Sequence, residues 1–259
     1  MAHPSTSPRA KGVAGPARLL LARSGPVAGP GLFPDSAFYT FRPKPRAAPL
    51  PRLSLSAWSF VRGSGDAPLA SGGMLGGSQA GARLLYRVAG TQRPLSATVR
   101  VTSPLAGTRG AEAAAGLDWK LLRSLPVRLL AERRQKLGAQ GRNAFALTAY
   151  GGLSDVRLAG FRLDAYAQAG VVGTRARDLF ADGAATVTRP IAAAGKLRAG
   201  AGAWGAAQPG VSRLDVGPTV AVNVPVSKGT ATLALDWRFR VAGDARPGSG
   251  PALTLSTGF

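Results

Sequence analysis

The chain has 259 residues, room for one large domain or two small ones, and carries 33 Lys and Arg against 12 Asp and Glu, a formal charge of +21. With no cysteine and a single histidine, His3, it offers no disulfide, no thiolate metal site, no cysteine nucleophile and no Ser-His-Asp arrangement in its body. No stretch approaches the ~20 apolar residues of a membrane-spanning helix, while so strong a positive charge points first to nucleic acid or an anionic membrane.

Residues 1–52 are rich in Pro, Gly, Ser and Arg, and Arg42-Pro43-Lys44-Pro45-Arg46 and Pro49-Leu50-Pro51 favour extended, solvated backbone. This composition predicts a disordered leader or a linker. Its aromatics (Phe33, Phe38, Tyr39, Phe41) are few for base stacking, which argues against a nucleic-acid-binding arm. Leu19-Leu20-Leu21-Ala22, bracketed by Arg18 and Arg23, falls short of the ~7–15-residue apolar core of an export signal.

From residue 53 to 259 the pattern changes to twelve short alternating runs, separated by Gly, Pro, Asn, Asp or Ser clusters. Their apolar faces begin with Leu53/Leu55/Ala57, then Ala82/Leu84/Tyr86/Val88, Leu95/Ala97/Val99/Val101 and Ala113/Ala115/Leu117/Trp119/Leu121. They continue through Val127/Leu129/Ala131, Phe145/Leu147/Ala149, Phe161/Leu163/Ala165 and Leu179/Ala181. The last four carry Leu197/Ala199/Ala201/Ala203, Leu214/Val216/Val220/Val222, Leu233/Leu235/Trp237/Phe239 and Leu253/Leu255/Thr257/Phe259. Most of these runs are close to the ~9–11 residues of a tilted strand that crosses a bilayer. The fifth, 126–137, also reads as a basic amphipathic helix, with Pro126 at a first helical position and good helix formers behind it.

The opposite faces hold the charges. Bases there are Arg83, Arg87, Arg100, Lys120, Arg128, Arg134, Arg162, Lys196, Arg198, Arg213, Arg238 and Arg240, and acids are Asp118, Glu132, Asp164, Asp182, Asp215 and Asp236. Only Arg133 and Arg189 fall on an apolar face. In a soluble sandwich the charged face would meet water and the apolar face would form a core. In a membrane barrel the charged face is the lumen and the apolar face meets lipid. The even number of runs, the long connection at 63–80, the short ones at 122–126, 192–195 and 227–229, and apolar faces too rich in alanine to fill a soluble core all predict the barrel.

Motifs for chemistry are sparse. Gly200-Ala201-Gly202-Ala203-Trp204-Gly205 matches a dinucleotide-binding pattern, but it lies inside an alternating run, and the next acid, Asp215, comes too early to reach a ribose. No acidic cluster has the spacing of a metal site, so neither a catalytic set nor a cofactor is expected. Acids and bases recur two residues apart on one face: Asp118 with Lys120, Glu132 with Arg128 and Arg134, Asp164 with Arg162, Asp215 with Arg213. Such groups can cross-pair between strands and fill a lumen structurally. Bases outnumber acids twelve to six there, which also fits an anion-preferring pore. Tyr86, Trp119, Trp237, Phe239 and Phe259 are candidates for interfacial aromatic girdles.

The closing stretch Leu253/Leu255/Thr257/Phe259, with apolar residues at alternate positions back from a terminal Phe, resembles the assembly signal of bacterial outer-membrane β-barrels. The alternation in 129–137, 164–172 and 237–259 is similar to that of the C-terminal barrels of exopolysaccharide-secretion and bacteriophage-adsorption outer-membrane proteins. That resemblance implies an antiparallel up-and-down transmembrane β-barrel of about 12 strands that serves as a porin-like channel, an export pore for polysaccharide or a surface receptor. It implies outer-membrane lipid and the barrel-assembly machinery as partners, and a periplasmic helical-repeat region before the barrel. Residues 1–52 contain no such repeat, and the resemblance supplies no catalytic residues. The alternative expectation is a soluble basic β-rich module that binds nucleic acid or another polyanion.

Overall fold

Runs of alternating residues have one stable outcome when each face needs a different medium, namely a sheet that separates the two. A computed structural model describes residues 52–63, 77–90, 92–122, 125–174, 177–192, 196–226 and 229–258. The predicted leader, apart from Arg52, and the closing Phe259 lie outside the described residues.

Twelve strands make up the fold: β1 (Leu53–Arg62), β2 (Gln79–Ala89), β3 (Leu95–Pro104), β4 (Glu112–Lys120), β5 (Val127–Lys136) and β6 (Ala144–Leu158). The second half comprises β7 (Phe161–Val172), β8 (Asp178–Pro190), β9 (Leu197–Gln208), β10 (Val211–Val226), β11 (Gly229–Gly243) and β12 (Gly250–Gly258). Each strand pairs antiparallel with its neighbours in sequence, and β1 pairs with β12 to close the barrel. Closure leaves no sheet edge with unpaired N–H and C=O groups. The run at 126–137 is the strand β5, laddered to β4 on one side and to β6 on the other. Two full ladders outweigh its helix-forming composition, because propensity differences are only tenths of a kcal/mol per residue.

The two ends of the barrel differ. At the near end, where β1 begins and β12 finishes, β6 turns into β7 through Ala159-Gly160, both with positive φ (48° and 81°), as a two-residue type I′ hairpin needs. At the far end the connections are 63–78, 105–111, 137–143, 173–177, 209–210 and 244–249. The predicted alternation of long and short connections therefore fails at β9–β10. There the ladder runs to Gln208 and Val211, and Pro209-Gly210 alone make the turn, with Gly210 at φ 81°.

Along each strand one face is exposed and apolar and the other is buried and mostly polar. In β11, Leu235 is 55% exposed and Trp237 48%, while Asp236 between them is 4% exposed. The GxGxxG match lies in β9, where glycine has a packing purpose. A Cβ on Gly202 would come within 2.5 Å of the Trp204 ring, so the missing side chain makes room for that ring against the inner wall. Gly81 on β2 does the same for Trp58, since a Cβ there would lie within 2.7 Å of both the indole edge and the Val101 carbonyl. Replacing Gly81 by Val should therefore displace Trp58 and lower stability by roughly 1–3 kcal/mol, the usual cost of overpacking. Denaturant unfolding followed by tryptophan emission checks this, and an unchanged midpoint with unchanged emission would contradict the cradle.

Candidate functional site: the ion-paired interior

A twelve-strand barrel is wider than the eight-strand kind whose interior side chains fill by default. Closing it takes long residues, and the inner wall supplies arginines and aromatics. Inward charges must also find partners, because an unpaired buried charge is expensive.

Four carboxylate centres organise the wall. Asp118, with no exposure, accepts hydrogen bonds from Arg83 Nη2, Arg128 Nε and the Tyr150 hydroxyl. Arg83 also donates to Thr98 Oγ1 at 3.2 Å and to Tyr150 at 3.0 Å. Glu132 receives Arg100 at 2.6 Å and Arg134 at 2.9 Å. Asp215 receives Arg62 at 2.8 Å and both Nε and Nη2 of Arg213 at 2.9 Å, and Arg62 reaches on to the Gly248 carbonyl at 2.9 Å. Asp164 binds Arg198 at 3.2 Å and the Asp155 amide at 2.8 Å. A smaller set joins Asp236 to Thr219 Oγ1 at 2.6 Å and to Arg238 at 3.0 Å.

These partners are not the ones sequence spacing suggests. The two-residue rule holds for Arg213 with Asp215 and for Arg134 with Glu132. By contrast, Arg128 goes to Asp118, Arg162 pairs with Asp155 at 2.8 Å, and Asp164 takes Arg198. Arg83 to Asp118, Arg100 to Glu132 and Arg198 to Asp164 each skip one strand. Barrel curvature brings alternate strands together on the concave side, over a small residue on the strand between them. Thr98 fills that place for Arg83 and Thr188 for Arg198, and each accepts a hydrogen bond from the arginine it underlies. Curvature cannot be read from spacing, so these pairs were not legible.

Of the residues predicted for the charged face, Arg83, Arg100, Asp118, Glu132, Arg134, Asp164, Arg198, Arg213, Asp215, Asp236 and Arg238 are buried in the interior. Arg87, Lys120, Arg128, Arg162, Asp182 and Arg240 are half-buried. Lys196 is exposed and precedes the first residue of β9, so it belongs to the connection and not to the wall. Leu253 and Leu255 are exposed on the outer face of β12, and Thr257 is half-buried beyond them. Two charged residues escaped the sequence reading, Arg62 (3% exposed) and Glu112 (3% exposed). Both end strands, where alternation loses its context. The parity Ser56, Trp58, Phe60, Arg62 does carry the signal for the first.

Aromatics complete the closure. Trp58 of β1 shares a buried cluster with Leu130 of β5, Tyr150 of β6 and Val172 of β7, which lie across the barrel from it. Tyr166, Ala184 and Trp204 form a second cluster on β7–β9. Arg238 lies between Trp204 of the second set and Phe60, which is two residues after Trp58 on β1, 4.8 Å from the Phe60 ring centre and 4.3 Å from that of Trp204. Together these groups form a diaphragm across the barrel. On its near side a hollow is lined by Asp164, Arg198, Asp236, Arg238 and the hydroxyl residues Thr186, Thr188, Thr219, Thr254 and Ser256. Among the described residues no group of three or more His, Cys, Asp or Glu side chains is gathered as metal ligands would be.

Asp118 is the most exacting of these centres. Asp118→Ala leaves Arg83 and Arg128 facing each other without their common counter-charge, and should cost about 3–5 kcal/mol. Loss of midpoint in denaturant unfolding measures this. Replacing Arg83, Arg128 and Asp118 together by apolar residues should recover most of the loss, since an apolar filling of the same volume tolerates burial.

No known protein family matches the chain, and no curated protein matches it in sequence. Among solved structures it is similar to Wzi, described as an outer membrane protein involved in group 1 capsule assembly in Escherichia coli and a carbohydrate-binding β-barrel. That likeness has 11% identity and a TM-score of 0.30, over 72% of this chain and 52% of that one, so the chain spans about half the length of Wzi. It is also similar to a loop-L8 deletion mutant of OmpT, an outer membrane protein of Vibrio cholerae, at 10% identity and a TM-score of 0.33 over 80% of this chain and 97% of that one. Neither likeness assigns an activity or a ligand here. Closed, antiparallel and even-stranded, with an apolar exterior and an ion-paired interior, the chain has the architecture of an outer-membrane β-barrel.

Proposed function

We propose that the protein resides in the bacterial outer membrane as a barrel closed at rest, with its far end as the working surface of a receptor. The observation that carries the membrane reading is the exposed wall, typified by Leu235 and Trp237 on either side of buried Asp236. A wall of exposed Leu, Val, Phe and Trp has no stable partner in water and a natural one in lipid. Arg133 and Arg189, the two charges that sequence parity places on that wall, lie near opposite ends: Arg133 three residues before the far end of β5, Arg189 one before the near end of β8. A lipid-facing arginine costs little near an interface and most at the midplane, so these positions fit the two borders of an apolar band. Exposed aromatics fit the same borders, with Tyr86, Trp119 and Phe161 toward the near end and Phe145 and Phe239 toward the far end.

An even strand count puts both ends of the barrel domain on one side, which for this class is the periplasm. The far end then faces outward and carries the 63–78 connection. Surface reception, of which bacteriophage adsorption is one form, suits a barrel whose interior is bridged from β1 to β6 by Trp58 and Tyr150. Polysaccharide export requires those side chains to withdraw. The role is non-enzymatic. A polyanion-binding soluble module has less support, because most of the charges that segregate within the barrel point inward, and the buried ones are ion-paired.

Expression behind a signal sequence should give an outer-membrane species that changes its electrophoretic mobility on heating. A soluble monomer with steep salt-dependent binding to DNA or RNA would overturn the reading. Leu235→Arg, at the middle of β11, should cost roughly 2–4 kcal/mol in lipid-embedded unfolding, whereas Arg133→Leu should be near neutral. Deleting Phe259 should reduce assembly in cells without the same effect on refolding in detergent.

A further inference from the structure

We infer that Arg238 is the latch of a closed passage, and that the barrel conducts small anions when this side chain leaves its place between Phe60 and Trp204. The inference rests on the outer-membrane reading and adds an activity to it.

The diaphragm is not uniform. From β1 to β7 it is made of Trp58, Leu130, Tyr150 and Val172, bulky groups packed against one another in one cluster. From β7 to β9 it is the Tyr166–Trp204 cluster. The gap between Trp204 on β9 and Phe60 on β1 spans four steps around the ring, and Arg238 of β11 occupies it. Phe60 is 1% exposed, Trp204 3% and Arg238 2%, so the seam is sealed as it stands. Yet its filler is a single long side chain with four rotatable bonds, held by two ring faces and by Asp236 at 3.0 Å. Rotation about those bonds moves it without moving the backbone.

What lies on either side gives the seam its meaning. Toward the near end Arg238 and Asp236 cap a hollow whose walls include Thr188, Arg198, Thr254 and Ser256, a wettable lining for a solute. Toward the far end stand Arg62 and Arg213 with Asp215 between them. At the seam, then, the guanidinium groups of Arg62, Arg213 and Arg238 face the carboxylates of Asp215 and Asp236. The excess is positive, and a constriction with that excess admits anions and repels cations. When Arg238 swings aside, a polar route joins the far-end ion pairs to the near-end hollow.

The test is ion conductance of the full-length protein refolded into planar bilayers, with Arg238→Ala and Trp204→Ala beside the wild type. The wild type should give baseline current with rare openings. Arg238→Ala should give frequent discrete openings with little preference between potassium and chloride, because two arginines then face two aspartates. Trp204→Ala keeps all three arginines and removes one face of the seam, so it should open as well, with a reversal potential in a potassium chloride gradient displaced toward the chloride potential. The inference is overturned if both variants are heat-modifiable and as silent as the wild type, if the Trp204→Ala current prefers potassium, or if the wild type already conducts as Arg238→Ala does. It is overturned too if neither variant assembles while the wild type does, which makes the seam a structural element and no latch. Failure of the wild type itself to become heat-modifiable in lipid strikes the outer-membrane reading instead.

Discussion

Everything in this molecule follows from a wall one residue thick that closes on itself. In such a wall the backbone is fully paired, and each side chain points either to the outside or to the inside, with no third choice. Leu235 and Asp236 are covalent neighbours, yet one is among the more exposed residues of β11 and the other is buried. The sequence must therefore write two compositions at once, interleaved at period two. A slip by one residue would exchange them completely.

The second constraint is width. Eight strands enclose a space that ordinary side chains fill, and sixteen or more leave water inside. Twelve fall between. This interior is closed by the largest side chains available, and the smallest are placed where those must lie flat: Gly81 beneath Trp58, Gly202 beneath Trp204. The arginines serve the same end by different means. A guanidinium spans distance on a flexible stem, presents several donors to a carboxylate, and lies against aromatic faces, as Arg83 does on Tyr150 and Arg238 on Phe60 and Trp204. Lysine is rare on this face for the same reason.

The direction of a charge inside a strand is a property of period two, and the alternation at Leu163-Asp164-Ala165 or Leu235-Asp236-Trp237 states it without ambiguity, while the turn-separated runs give the strand number. The β5 segment was ambiguous because its residues suit a helix, and only the ladders to β4 and β6 decide it. What sequence could not supply was the third dimension. Asp118 reads as a partner of Lys120 along its strand, but curvature offers it Arg83, Arg128 and Tyr150 from three other strands. Nothing in the sequence singles out Trp58 and Phe60, whereas closure of the ring turns them into the hub on which the diaphragm converges.

An apolar filling would stabilise the closed state at least as well as these ion pairs, since burying paired charges brings little net stability. Their value lies in what they forbid. With Leu or Phe on both faces, any strand could pair one residue out of register and lose almost nothing. With Asp118, Glu132, Asp164 and Asp215 each fixed to an arginine from another strand, a one-residue slip turns carboxylates outward among the exposed Leu and Val and leaves their partners buried without counter-charge. The penalty falls on the wrong register and spares the right one. That asymmetry lets a wall built largely of alanine, glycine and valine, with little packing specificity of its own, settle into one closed arrangement of twelve strands.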